Sequence, residues 1–551
     1  MDVRAGGSKM KKLILLLIML MAFNAYAGDY YVCPATESGE YQGDDSNDGT
    51  SGNPVATVSR ALAVSGANDT VYFCSQGEWT GGTILTAEAG VKYIGDTYGT
   101  GTRAKFTSTS GSNMVALETS NITFQGFELD MSDRETHGIT IGYFAGADIS
   151  NVIVDHCIVH NNDGVTSDGN GGPWLYSIIV SAANTHTTSN ITITNNTVYD
   201  TWHAGIDLYP KWGEYNNIVD TVLVRNNTVY NTGYDTTGGG MGVGVSLINN
   251  VKEATIEFNH IYSGNYGVWM RNSSQWNSPD NVLSGPTTAV IRYNIIHNNS
   301  VGAISAQKMD NEYSNPFSAD IYGNVTYNNG STWSGDYCAE LLFGTDWYGG
   351  ATFNIYNNTL MKNTTTCSDN HGILVGQWAS SHVNNPTINF NNNIVQSYNN
   401  YAVYDRYGQI TNHSNNLVYR SSAETDAHVV SGATTYDRDG TASDLTNWEA
   451  TAQKTDPAFS GGTLPTGFSG TYGSNMVPNT DYFQLTVDSP AKDTGATLEG
   501  YTGSINGAGL TTPIVRPIGS AFDIGAYEYG TVAQSGGSAG SGFKMQGVTI
   551  R

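Results

Sequence analysis

Between Asn121 and Arg420 one short pattern recurs about once every thirty residues, and it restricts this chain more than any other feature. Examples are NITITNNTVYD at 190, DTVLVRNNTVYN at 220, TAVIRYNIIHNN at 288 and ATFNIYNNTLMKN at 351. Aligned on the apolar residue that follows, a single column holds Phe127, Cys157, Asn196, Asn227, Asn259, Asn294, Asn324, Asn358, Asn393 and Asn416. A repeat of this size is the signature of a solenoid. Each unit alternates polar and apolar residues over four to six positions, which predicts strands, and Gly, Asn and Asp fill the gaps as turns. The chain is therefore expected to be all-β. An Asn held beside a strand suits a corner, where a buried amide can hydrogen-bond the backbone of its own turn and the amides above and below.

The strand–Asn–strand repeat resembles the right-handed parallel β-helix proteins of the pectate-lyase-like superfamily. The resemblance implies a single-stranded right-handed parallel β-helix of about ten to thirteen turns, its handedness included. Further strands follow each ladder position, such as HGITIG at 137, DGVTSDG at 163, AGIDLYPKW at 204, MGVGVSLIN at 241 and YGVWMRN at 266. In these Ile139, Val165, Ile206, Val245 and Val268 are expected to point inward and their neighbours outward.

The expected organisation has five parts. Residues 1–27 read as a secretory signal peptide: Lys11 and Lys12 precede LILLLIMLMAF, and Ala25-Tyr26-Ala27 gives a small-x-small cleavage site. Residues 28–110 form an N-terminal cap and first turns, in which ATVSRALAV reads as a short helix that plugs the open end of the core. Residues 111–420 are the solenoid proper and 421–530 its last turns and C-terminal cap. The set DPAF at 456, SPAKDTG at 489 and DIGAYEYG at 523 resembles the ending of secreted β-helix proteins. It leads to the expectation that Phe459, Phe483, Leu485, Ile524 and Tyr527 seal the core, with Asp493 and Asp523 satisfying turns. Residues 531–551 read as a flexible tail.

Export implies a secreted or periplasmic protein with no membrane span after signal cleavage, expected to be a monomer. Among five cysteines, Cys33 and Cys74 lie on two apparent first strands and form the expected disulfide; Cys338 and Cys367, one turn apart, are a second candidate pair. Cys157 reads as a packed small residue. The net charge is −25, with 24 Lys and Arg against 49 Asp and Glu, and no basic stripe exists, so nucleic acid is excluded as a partner.

Thirty-four tyrosines and ten tryptophans exceed the needs of a narrow core, and surface aromatics are candidate sugar platforms. Register places outward residues of successive turns in columns: Asp168, Tyr209, Ile248 and Arg271 in one; Thr166, Asp207, Ser246 and Trp269 in another. An acidic polysaccharide is the partner this mixture suits. Tyr209, Trp269 and His203 are the candidate substrate-binding residues. Lys211 and Arg271 are candidate catalytic bases, and Asp168 and Asp207 candidate ligands of Ca²⁺. Asp44, Asp45, Asn47 and Asp48 offer a second calcium set, or simply Asx turns. Three functions stay open: a lyase of uronate-containing polysaccharide, a glycoside hydrolase, and a non-catalytic carbohydrate-binding or cell-surface structural protein.

Overall fold

The computed structural model describes residues 27–527 except 82–83, 86–87, 110–112, 133–136, 163–174, 184, 210–216, 234–240, 249–250, 273–286, 309–316, 331–337, 345–349, 363–369, 378–385, 397–399, 421–427, 438–442, 470–476 and 499–519. The expected signal peptide and tail fall outside these residues. The chain winds as a right-handed parallel β-helix with three strands per coil. Sheet 1 has thirteen strands, from Asp29–Val32 to Ile410–Ser414; sheet 2 has twelve, from Glu78–Thr80 to Leu417–Tyr419. Sheet 3 has thirteen, from Ile84–Leu85 to Thr434–Tyr436, and only its last pair is antiparallel. The short segment after each ladder Asn is thus a strand in its own right.

Period-two alternation sends one side of every strand to the axis. In sheet 1 the register stacks Val154, Ile193, Val224, Ile256, Ile291, Ile321, Ile355 and Phe390, all fully buried. Mostly branched side chains at one height in each coil fill the narrow core. Near the N-terminus the filling changes to rings: Phe73, Phe106, Phe124 and Phe127 pack together, with Phe124 and Phe127 stacked at 4.3 Å. That is why the ladder column begins with Phe127 and turns polar only later.

Left-handed residues recur from coil to coil and mark the corner ahead of the ladder. Asn195 (φ 58°), Asn226 (φ 53°), Asn357 (φ 52°), Asn392 (φ 56°) and Asn415 (φ 52°) directly precede ladder asparagines. Asn tolerates this region better than most residues. The ladder asparagines then form a directed chain. The backbone N–H and Nδ2 of Asn227 both donate to Asn259 Oδ1, at 2.9 and 3.0 Å, while Asn227 Nδ2 also donates to the Ile193 carbonyl. The pattern repeats from Asn196 to Asn416, and Cys157 joins it through its N–H alone. Among the described residues the asparagine ladder stops at Asn416, and Glu449 occupies the next place: Oε1 accepts the Asn416 N–H at 2.6 Å and Oε2 its Nδ2 at 2.7 Å. A shorter ladder at the corner between sheets 2 and 3 runs from Asn299 to Asn329 and ends likewise on Glu340.

Both ends of the core are closed. Helix α1 (Val58–Val64), N-capped by Thr57, buries Val58 and Ala61 against the first coil, with Leu62 half-buried beside them. Cys33 and Cys74 are joined across the paired strands Asp29–Val32 and Thr70–Cys74. Cys338 is also disulfide-bonded; its expected partner Cys367 lies outside the described residues. At the C-terminal end the core is sealed by Leu445 of helix α2 (Leu445–Trp448), with Tyr436, Trp448 and Ala452 around it. This corrects the expectation for the DPAF…DIGA set. Those residues run back over the outer face of sheet 2. Phe483 joins Ile295, Val325, Tyr327 and Met361, while Leu485 and Ile524 join Ile394 and Leu417. Asp493 and Asp523 do serve turns, accepting from Ser520 and Asp493 backbone N–H groups.

Candidate functional site

The outer face of sheet 3 gathers most of the chemistry. Tyr176, Ala204, Val243 and Tyr266 form one register column there; Ile179, Asp207, Ser246 and Trp269 form the next. Ile248 and Arg271 pair in a third, and Tyr209 follows Leu208 on the same side as Asp207. Val165 does not supply the inward residue of the coil below Ile206: Ile178 does, from strand Tyr176–Val180. Ile179 therefore underlies Asp207, in the place expected for Thr166. The run DGVTSDG alternates like a strand, but the 39-residue interval between Cys157 and Asn196 holds an insertion ahead of the true strand. Val165, Thr166, Asp168 and Lys211 all lie outside the described residues, so the Asp168–Asp207 pair and the Lys211 position have no geometry here.

Five expected site residues do come together, in a setting that sequence alternation did not foretell. Asp207 and Trp269 have no solvent exposure at all, and His203, Tyr209 and Arg271 are buried as well. The Arg271 guanidinium lies over the Trp269 ring, 5.2 Å from its centroid, a cation–π arrangement. Tyr266 stacks on the other part of this cluster, 5.8 Å from Trp269. Ser246 donates its hydroxyl to Asp207 Oδ1. Tyr176 carries His203 edge-on at 5.4 Å and His137 stacked at 5.5 Å. Tyr176, Tyr266 and His137 were not among the expected site residues. The signal for the two tyrosines was present in YSIIV and YGVWM, each of which opens a sheet-3 strand with Tyr in the same column.

Burial governs the electrostatics. It pushes the Asp207 carboxyl well above the usual carboxylate range, which favours the neutral, hydrogen-bond-donating acid. The Tyr176 and Tyr209 hydroxyls are raised, first by burial and then by Asp207. His203 is pushed down to about 3 by burial and by Arg271, and His137 to about 4 by burial, so both imidazoles are neutral at pH 7. Asp207 Oδ2, Trp269 Nε1 and Tyr176 OH are buried with no hydrogen-bond partner among the described residues. Buried polar groups are nearly always paired, so three on one face mark a place built for polar company.

No group of three or more His, Cys, Asp or Glu among the described residues is placed to hold a metal ion. In the acidic N-terminal loop the carboxylates serve turns. Asp44 accepts from Ser46, Asp48 from Thr50, and Asp45 from the N–H groups of Ala56 and Thr57. No helix among the described residues is long and apolar enough to cross a membrane. The Cys33–Cys74 disulfide accords with an extracellular or periplasmic setting.

Coil topology and corner ladder together define a parallel β-helix protein. Residues 89–282 match the family model described as the right handed beta helix region. No curated protein matches the chain. Among solved structures it is similar to the pectate lyase Pel9A, at 14% identity over 93% of this chain and 98% of that one, with a TM-score of 0.46. It is also similar to the GH136 lacto-N-biosidase from Eubacterium ramulus, at 13% identity, 69% of each chain and a TM-score of 0.43. The mannuronan C-5 epimerase AlgE4 A-module of Azotobacter vinelandii gives 15% identity, 68% and 94% coverage and a TM-score of 0.36.

Proposed function

We propose that the chain acts on a uronate-containing polysaccharide at the outer face of sheet 3, as a lyase. One observation carries the reading: Asp207, Tyr209, Trp269 and Arg271 converge on one buried face where Asp207 Oδ2, Trp269 Nε1 and Tyr176 OH lack hydrogen-bond partners among the described residues. Aromatic rings offer apolar surface to the C–H face of a sugar, and a guanidinium meets a carboxylate bidentately. Elimination needs the uronate carboxylate neutralised, so that the proton next to it can leave to a base while the glycosidic oxygen departs with a proton. In this reading the Arg271 guanidinium pairs with the carboxylate, and Lys211 in its neutral form takes the proton. A neutral Asp207 or Tyr209 supplies one to the leaving oxygen. Calcium belongs to the proposal as an alternative neutraliser. It would hold Asp207 ionised instead of protonated and would draw on Asp168. A hydrolase needs a second carboxylate across the sugar, and Asp207 is the one carboxylate in these columns among the described residues.

The test is a screen of acidic and neutral polysaccharides with and without EDTA. Ultraviolet absorbance from an unsaturated uronate supports the lyase, and its loss with EDTA supports the calcium form. New reducing ends without that absorbance indicate a hydrolase. Retention without turnover indicates a binding protein and overturns the catalytic reading.

A further inference from the structure

The strap that lies on the outer face of sheet 2 covers a pair of histidines. Tyr262, His297 and Tyr327 form one register column of that face, and His260 stands in the neighbouring column beside Ile295. The rings stack. His297 lies 5.1 Å from Tyr262 and 4.6 Å from Tyr327, at interplanar angles of 2° and 6°, and His260 lies 4.4 Å from Tyr262. The two imidazoles meet Nε2 to Nε2 at 2.8 Å. Above them runs the strap hairpin, whose two arms pair at Phe459 with Leu485 and at Phe468–Ser469 with Val477–Pro478. Gly467 passes so near that a Cβ there would stand 3.3 Å from His260 Nδ1, and the Tyr327 hydroxyl donates to the Pro465 carbonyl at 2.6 Å. Both histidines are buried.

Such a pair holds one hydrogen between its facing nitrogens: one Nε2 donates and the other accepts. When both rings are charged, both Nε2 atoms carry hydrogens that point at each other. The surroundings do not help a charge. His297 Nδ1 is buried with no hydrogen-bond partner among the described residues, so a hydrogen placed there has no acceptor. Tyr230 and Tyr262 on the same face, Tyr327 on the next coil, and Pro465 and Gly467 of the strap bring neutral rings and backbone. Glu340 acts on the Tyr327 hydroxyl and on neither imidazole. Burial pushes His260 down to about 4, and burial and then His260 push His297 down to about 3. The strap's own carboxylates are the aspartates Asp456, Asp481, Asp488 and Asp493, a residue class that ordinarily titrates near ~4, below the range in which solvated imidazoles charge.

We propose that His260 and His297 form an acid-sensitive latch for the strap: protonation of the pair releases the hairpin between Phe459 and Leu485 from sheet 2 while the coils beneath stay wound. In the released state water reaches both rings, and each takes up a proton in the ordinary imidazole range, near ~6.5. The closed state keeps both neutral to well below that. Closure is therefore fully supported above about pH 6.5 and is lost as pH falls toward the closed-state values of about 4 and about 3. Asn392 and Asn415 hold the strap's far end through the Ala496 and Thr494 carbonyls, so the hairpin hinges there. Its release uncovers Ile295, Val325 and Met361, which pack with Phe483 when it is closed. Acidity is thereby turned into an exposed apolar strip along one side of the molecule.

The experiment is hydrogen exchange on the full-length protein from about pH 7 to about pH 4.5, with protection corrected for intrinsic exchange at each pH. It compares the hairpin amides of Ser460, Gly461 and Asn479, which donate within the strap, with amides of sheet 1. A lifted two-stranded hairpin is marginal in water, so its amides exchange on release. Uptake of two protons per opening predicts that hairpin opening grows by up to ~100-fold per pH unit below about pH 6, while sheet 1 keeps its protection. His297→Gln, which leaves one titrating ring, is expected to show at most ~10-fold per unit. The double variant His260→Gln with His297→Gln is expected to hold its hairpin protection constant over the same range. Wild-type hairpin protection that stays constant to pH 4.5, or that is lost in step with sheet 1, overturns the latch whatever the variants do. Acid opening in the double variant equal to that of the wild type overturns it too, because other groups would then drive the release.

Discussion

At the scale of single residues the fold rests on a neighbouring pair, one in left-handed geometry and one in the ladder. Phe258 (φ 56°) and Tyr293 (φ 55°) show how firmly this position is imposed, since bulky residues rarely adopt it. They are held by mutual stacking at 5.4 Å and by Phe468, 6.3 Å from Phe258. The ladder residue matters through what it satisfies. Asn227→Leu removes the acceptor of the Asn196 N–H and of one of the two Asn196 Nδ2 bonds, the side-chain donor to the Ile193 carbonyl, and one of the two donors to Asn259 Oδ1. It is expected to destabilise by at least ~1–3 kcal/mol, a typical cost for an orphaned buried group. Equilibrium denaturation beside an exposed control such as Asn412→Leu checks this, and equal effects would count against the ladder. Glu340 yields a pH prediction. Burial raises its carboxyl from 4.5 to about 7 despite Lys362 nearby. The native state therefore holds a proton that the unfolded state has lost between those values, and stability falls as pH rises through that window. Buried Lys362, pushed down to about 8, acts in the opposite sense, adding stability as pH rises from about 8 to 10.5. Relative to Glu340→Gln, the wild type should lose stability between pH 5 and pH 7, read as diverging denaturation midpoints. Parallel curves would show that Glu340 is not the titrating group.

Elements were legible where side-chain pattern and backbone requirement coincide. Asn196 through Asn416 stood out because one residue type meets one corner geometry in every coil, and the inward residues of sheet 3 followed from alternation alone. The coil after Cys157 misled because DGVTSDG and YSIIV both alternate, and alternation cannot say which of two candidate runs finds a strand to pair with. The outward side chains were correctly placed near Asp207 and Trp269, but as a wet surface. Alternation separates inside from outside of a strand, yet says nothing of what packs on the outside. The C-terminal set shows the same limit. Its apolar residues announced a seal, and which of two apolar surfaces they cover depends on contacts far apart in sequence. Phe483 sits 5.3 Å from Phe459 and 4.9 Å from Tyr482, over Tyr327 at 6.1 Å. Phe483→Ala is expected to cost about 3–5 kcal/mol locally. Because the strap lies outside the coils, hydrogen exchange should rise first in residues 456–498 while sheet 1 keeps its protection. Simultaneous loss in both would show that strap and solenoid unfold as one unit.

The whole molecule is a stack whose stability adds up between neighbours, so its dimensions follow from counting coils. With ~4.8 Å between strands, the thirteen strands of sheet 1 span on the order of 55–60 Å. Solution scattering should give an elongated particle with a cross-section that holds constant along most of its length. A compact sphere would rule out the stack.

The carboxylate at the end of each ladder decides how far such a stack can grow. An amide passes the pattern on, because it receives from the coil before and gives to the coil after. A carboxylate receives twice and gives nothing. Glu449 therefore acts as a full stop: the donors of Asn416 are already answered within the chain, and a neighbouring molecule set end to end would find no unanswered amide to continue from. A repeat duplicated within the ladder that brings its own asparagine continues the series, whereas one appended beyond Glu449 has to start a new one. The same residue that completes the last coil thus leaves neither ladder donor of Asn416 for a further turn to take up.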